Sequence, residues 1–177
     1  MLEHISTQLQ ETYGEAILSL DEFRNELTIF VKPDVIKELA RYVKEQLGFD
    51  LCVDICGADT LEENTRFEVI YNLLNLSTKQ RLRLKTRVDE MNPQLPSVVD
   101  IWKSANWYER ETYDMFGVIF KGHPDMRRIY MPEDFEYFPM RKEFPLIGIP
   151  GSIPLPAIEK SAQKKEAGLA YNKKERI

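Results

Sequence analysis

Between Arg81 and Val88 the chain alternates strictly, with Leu82, Leu84, Thr86 and Val88 on one side and Arg81, Arg83, Lys85 and Arg87 on the other. A period of two marks a half-buried β-strand. Apolar runs at 16–20 (AILSL), 27–31 (LTIFV), 51–56 (LCVDIC) and 66–76 (RFEVIYNLLNL) predict four more strands, the first two forming a hairpin across the polar DEFRNE. A helical period governs residues 33–48. There Val35, Leu39, Val43 and Leu47, with Ile36 and Ala40 beside them, oppose Lys37, Glu38, Arg41, Lys44 and Glu45. Pro33 suits its first turn and Gly48 its stop. Three shorter helices are predicted. The first spans 6–13, capped by Ser6, with Leu9 and Tyr13 on one side and Gly14 as its stop. The second spans 98–105 after a turn at MNPQLP, started by Ser97 and Asp100 as a capping pair. The third spans 107–116, with Asn106 as cap, Glu109 returning the reciprocal bond and Gly117 as stop.

This order of elements predicts an α+β fold, a small and mostly antiparallel sheet with helices packed on one face. The cationic side of the 81–88 strand is then either solvated or set against an acidic partner. Solvation is the plainer reading, since antiparallel sheets commonly leave one face wet. Prolines at 124, 132, 139, 145, 150, 154 and 156 forbid long regular elements beyond residue 121. The expected organisation is an α+β domain over 1–117, an extended proline-rich docking arm over 118–157, and a basic, flexible or partner-docked tail over 158–177.

Composition narrows the function classes. A net charge of −5 with no basic, aromatic-rich patch argues against nucleic acid. No stretch approaches the roughly 20 apolar residues that span a bilayer, and MLEHISTQ lacks the basic-then-apolar order of a signal peptide. The expectation is a soluble, cytoplasmic chain that reaches a membrane only through a complex. Cys52 and Cys56 lie four residues apart on a predicted strand, roughly 13 Å, too far for one metal ion or a disulfide. Two buried thiols in a reducing compartment are the simpler account.

The segment 109–144 concentrates the remaining chemistry. At about 100° per residue, Arg110, Glu111 and Asp114 share an arc of the helix with Trp107, while Glu109 lies across from them. Arg110 and Asp114 form an i,i+4 pair, and charges set among Trp107, Tyr108, Tyr113, Met115 and Phe116 need partners. Arg127, Arg128, Arg141 and Lys142 can supply them, inside the fold or opposite acids on another protein. Glu109, Glu111 and Asp114 could alternatively hold a divalent metal in a stand-alone enzyme. Against that, the chain has no E-x-x-H, and its only histidines are His4 and His123, the latter in a GHPD turn. Nucleotide loops, a nucleophile elbow and a cysteine array are also lacking. The residues alone therefore point to a binding or structural protein.

The run ERETYDMFGVIFKGHPDMRRIY resembles the signature of the thirty-kilodalton subunit family of respiratory complex I. The matching positions are Glu109, Arg110, Glu111, Asp114, Met115, Phe116, His123, Arg127, Ile129 and, loosely, Tyr130. SVVDIWKSANWYERE before it and PMRKEFPL after it are similar to the family too, although Tyr137 and Phe138 stand where the family usually has Gly-His. The resemblance implies a cofactor-free, non-catalytic subunit of the peripheral arm, on the cytoplasmic side of the bacterial cell membrane. The complex as a whole passes electrons from NADH through FMN and iron–sulfur clusters to quinone and translocates protons. The implied neighbours are the quinone-pocket subunit and the subunit holding the terminal cluster. Glu109, Arg110, Glu111, Asp114, His123, Arg127, Arg128, Arg141 and Lys142 are the expected docking residues. Matching subunits of a ferredoxin-linked complex or a membrane-bound nickel–iron hydrogenase carry a similar motif and remain open.

Overall fold

The computed structural model describes residues 2–61 and 65–149. An N-terminal helix, α1 (Leu2–Tyr13), leads into β1 (Ile17–Phe23) and β2 (Glu26–Val31). After α2 (Ile36–Glu45) come β3 (Leu51–Asp59), β4 (Phe67–Leu74) and β5 (Arg81–Val88). A short β6 (Gln94–Pro96) precedes α3 (Ala105–Phe116) and β7 (Ile119–Lys121). The main sheet has the order β1-β2-β5-β4-β3, with β2 and β5 parallel and the other neighbours antiparallel. It is the mostly antiparallel α+β sheet that the patterning predicts.

The helices cover one sheet face. Leu27, Ile29 and Val31 of β2, Val69, Tyr71 and Leu73 of β4, and Leu82 and Leu84 of β5 are buried against Ile36, Leu39, Ala40 and Val43 of α2 and Leu9 of α1. Burying a side chain of this kind contributes roughly 1.5–3 kcal/mol. The other face carries the cations of β5, and they find acids within the sheet itself. Glu26 lies 3.6 Å from Arg81 and 3.1 Å from Arg83, while Glu68 meets Lys85 at 2.9 Å and Arg87 at 3.1 Å. These cross-strand pairs arise because Glu26 sits in register with Arg81 and Glu68 with Arg87.

Several local expectations are corrected. The first helix begins at Leu2, so Ser6 lies inside it. The hairpin turn is only Arg24-Asn25, both at positive φ, which extends β1 through Phe23 into the supposed loop. Gln94–Pro96 is a strand paired in parallel with β7, not a turn. Residues 99–104 form turns rather than a helix; the Ser97 hydroxyl accepts the Val99 N–H and donates to Glu109, and the Asp100 carboxylate pairs with Lys37 and Arg41. Cys52 is buried in register with the inward Leu73, whereas the half-exposed Cys56 pairs with Ile70 across the strand. A bulge between Cys52 and Asp54 separates the two thiols onto opposite faces. Residues 150–157 of the arm and the 158–177 tail lie outside the described residues.

Helix α3 packs across β3 at Gly57. A Cβ there would lie 2.6 Å from Phe116 Cδ2 and 3.1 Å from Thr112 Cγ2. Gly57→Ala is therefore expected to destabilise the fold by about 1–3 kcal/mol through overpacking, measured as a lower urea midpoint at unchanged slope.

Candidate functional site: a charged helix and the segment it straps down

Ala105, Glu109, Thr112 and Phe116 recur at helical spacing and form the buried face of α3. Thr112 Oγ1 donates to the Ile55 carbonyl at 3.3 Å, and Ser104 Oγ to that of Cys52 at 3.0 Å, so hydroxyls of this region bind the backbone of β3. Glu109, with no exposure at all, accepts from Ser97 Oγ at 2.7 Å and from the Val98 N–H at 2.7 Å. It thus ties the turns before α3 rather than capping the helix as expected. Burial raises its carboxyl from 4.5 to about 7, against the opposing pull of the two hydrogen bonds. Gly117, at φ +81, ends the helix, and its N–H donates to the Tyr113 carbonyl.

The opposite face of α3 holds an irregular segment. Asp114, fully buried, accepts at Oδ2 from three successive backbone N–H groups, Ile129 at 3.0 Å, Tyr130 at 2.7 Å and Met131 at 3.0 Å. Its Oδ1 meets Arg128 Nη1 at 2.7 Å, and the same guanidinium donates to the carbonyls of Phe135 and Tyr137. Burial alone would raise the Asp114 carboxyl. The Met131 N–H, Arg128 and the Tyr130 and Ile129 N–H groups outweigh it and hold the group below its ordinary value. The expected Arg110–Asp114 pair is not made. Arg110 instead donates to the carbonyls of Arg127 at 3.0 Å and Arg128 at 3.2 Å, its guanidinium 5.0 Å from the Trp107 ring centroid.

A second set of ties lies further along. Arg141 Nε donates to the Phe116 carbonyl at 2.7 Å, and its guanidinium lies 4.8 Å from the Phe67 ring centroid and 4.5 Å from that of Phe138. The Met140 N–H bonds the Met115 carbonyl at 3.1 Å. At the end of β3, Asp59 takes both prongs of Arg66, at 2.9 and 2.7 Å, and the Lys142 N–H at 2.9 Å. The Arg66 fork holds the Asp59 carboxyl down at about 2. Arg66 also pairs with Glu90 and with Glu143. Asp59, Arg66, Glu90 and Glu143 were not among the expected site residues. Their one sequence signal is a charge at the edge of an apolar strand, and Arg66 and Glu143 lie far apart along the chain.

The nine expected residues thus divide. Glu109, Arg110, Asp114, Arg128 and Arg141 direct their polar groups into the chain. His123 organises its turn: Nδ1 accepts the Asp125 N–H at 3.0 Å while Nε2 lies 3.2 Å from the Asn106 carbonyl. Burial lowers its pKa, which favours the neutral ring. Arg127 is exposed and pairs with Asp125 at 2.8 Å, Lys142 is exposed, and Glu111 is half-exposed beside a groove with Asp54 and Cys56. Glu109 and Asp114 point to different sides of α3 with their oxygens engaged. Among the described residues no group of three His, Cys, Asp or Glu is placed to hold a metal ion.

The family described as "Respiratory-chain NADH dehydrogenase, 30 Kd subunit" matches residues 29–149. An NADH-quinone oxidoreductase subunit of Roseiflexus sp. (strain RS-1) is 45% identical over 141 residues, covering 78% of this chain and 81% of the relative. The corresponding NADH-quinone oxidoreductase subunit of Rhizobium meliloti (strain 1021) is 46% identical over 144 residues, 80% of this chain and 79% of the relative. Among solved structures, a trypsin-resistant fragment (1-134) of Nqo5 superposes with a TM-score of 0.61 at 33% identity, covering 68% of this chain and 98% of the fragment. One chain of the membrane-bound sulfane sulfur reductase, an archaeal respiratory membrane complex, superposes with a TM-score of 0.72 at 27% identity, covering 99% and 95%.

The raised Glu109 carboxyl has a pH signature. The folded state binds this proton more tightly than the unfolded chain, so the stability it contributes is complete below about pH 4.5 and lost as pH rises through about 7. The loss is on the order of 3 kcal/mol. Glu109→Gln keeps an acceptor for Val98 and offers a donor to Ser97. Urea unfolding at pH 5 and pH 8 is expected to show that this slope disappears in the variant, which should be the more stable protein at pH 8.

Proposed function

This chain belongs to the thirty-kilodalton subunit family of the respiratory-chain NADH dehydrogenase, and on that premise we propose that it is a docking subunit of the peripheral arm of an NADH–quinone oxidoreductase, carrying out no chemistry of its own. The observation that carries this reading is residues 122–147: no regular element, yet buried charges fix the segment in place while Tyr130, Met140, Leu146 and Ile147 face outward. Large exposed apolar side chains on a pre-ordered surface suit protein contact, because the ordering cost is met before binding. Glu109, Arg110, Asp114, Arg128 and Arg141 then serve docking indirectly, by holding that surface. Glu111, His123, Arg127 and Lys142 lie nearer to where a neighbour would sit. Neighbours that bind quinone and the terminal iron–sulfur cluster suit the role, with FMN, the clusters and the NADH site all on other chains.

Among the described residues no helix is long and apolar enough to cross a membrane. Attachment through other subunits, at the cytoplasmic side of the membrane, fits the proposal. The match to a chain of the archaeal sulfur reductase supports docking over chemistry, since one scaffold is then compatible with complexes running different reactions.

Arg128→Ala tests the reading. It leaves Asp114 buried without its cation, a change that costs roughly 3–5 kcal/mol, and it releases the carbonyls of Phe135 and Tyr137. The expected result on a native gel is a several-fold loss of this subunit from the assembled complex, with limited proteolysis cutting first within 127–140. Full assembly accompanied by lost NADH:quinone turnover would instead place the chain in the chemistry.

A further inference from the structure

A groove of about 280 Å³ runs between β3 and α3. Met115, Met140 and Phe116 give it apolar walls, and Asp54, Cys56 and Glu111 supply its polar groups. Glu26, Asp59, Glu68, Glu90, Asp100, Asp114, Asp125 and Glu143 each have an arginine or lysine within 4 Å. Asp54 and Glu111, like several other carboxylates, have no such cation within 4 Å among the described residues; the Cys56 thiol bonds the Asp54 carboxylate, and Arg83 lines the cavity on the other side of Asp54. Asp54 also borders a second cavity, of about 470 Å³, which is edged by the exposed Leu51 and Val53. The apolar rim therefore continues along the β3 edge.

We propose that this groove receives a lysine or arginine side chain from an extended segment of a neighbouring subunit, its cation seated between Asp54 and Glu111 and its aliphatic stem against Met115 and Met140. The inference rests on the docking role proposed above and specifies its chemistry. Covering an unpaired carboxylate with an apolar surface leaves a desolvated charge, so whatever closes the groove must bring a cation. Methionine walls adapt to a flexible stem, and long cationic side chains lay their methylenes on apolar surface while the head reaches polar groups. The volume lies at the lower limit of small-molecule sites, suited to one long side chain rather than to a cofactor. Asp59 and Asp114 cannot take this part, because their oxygens are already bound within the chain.

The experiment uses the full chain, free and in the detergent-purified complex. Cys56 lines the groove and Cys52 is buried, so N-ethylmaleimide labelling read by mass spectrometry reports on groove cover. Labelling of Cys56 is expected to slow at least tenfold in the complex. Glu111→Lys should lower the amount of this subunit retained by at least tenfold, and Glu111→Gln with Asp54→Asn by several-fold. The free variants should melt like the parent, as neither carboxylate holds an internal cation. Equal Cys56 labelling in the free chain and the complex overturns the proposal, and so does full retention of Glu111→Lys. If Cys56 reacts in neither state, the retention of Glu111→Lys decides alone. A parent chain that fails to copurify with oxidoreductase subunits overturns the docking role itself, a result distinct from all of these.

Discussion

The Asp114 carboxylate is the constraint on which the second half of this protein depends. A chain with prolines at 124, 132, 139 and 145 cannot satisfy its backbone through a helix or a sheet ladder, so it needs acceptors from elsewhere. One buried oxygen of Asp114 serves three successive N–H groups, and its other oxygen holds Arg128, which in turn collects two carbonyls further along. Arg110 completes the arrangement from the same helix by binding the carbonyls of Arg127 and Arg128. Two side chains one helical turn apart thereby replace the missing secondary structure. The carboxylate tolerates burial because every lone-pair direction that matters has a donor.

The same logic operates at the far end of the segment, with the sheet in place of the helix. Asp59 at the end of β3 and Arg66 just before β4 form a two-pronged pair, and the Lys142 N–H and Glu143 carboxylate close onto it. Arg141, stacked against two phenylalanine rings, takes the last carbonyl of α3, where a cation also complements the helix dipole. The segment is thus anchored at both ends by charge pairs removed from water, which are costly to break singly. Arg110, Arg128 and Arg141, which could have pointed to a neighbour, are used internally. What remains outward includes Tyr130, Met140, Leu146 and Ile147, together with Lys142 and the Arg127–Asp125 pair.

Electrostatic assignment in this protein therefore turns on distance in space rather than along the chain. Arg110 and Asp114 have the ideal spacing for a helical pair, worth only about 0.3–0.5 kcal/mol at a surface, and each takes a stronger partner from the strapped segment. Ser97 and Glu109 show the same displacement. Both have cap-forming positions, yet they bond to each other across the approach to α3, where 99–104 form turns and Ser104 is a cap without a side-chain bond.

Periodicity by itself determined the five main strands, the α2 face of Ile36, Leu39, Ala40 and Val43, the glycine stops at Gly48 and Gly117, and the α+β class, because burial of alternate or helically spaced side chains is written in local sequence. The family motif likewise marked α3 and the charged residues after it. Only the tertiary structure decided where those charges go. Nothing in the spacing of Asp59, Arg66 and Glu143, or of Asp114 and the N–H groups of 129–131, reveals that they meet, since such contacts form only after β3, β4 and α3 have packed around Gly57. The acids that meet the cationic face of β5, Glu26 and Glu68, and the placing of Asp54 opposite Glu111 in the β3–α3 groove were equally hidden. Whether a surface charge is paired or free is a property of strand register and helix packing, which a single string of letters does not carry.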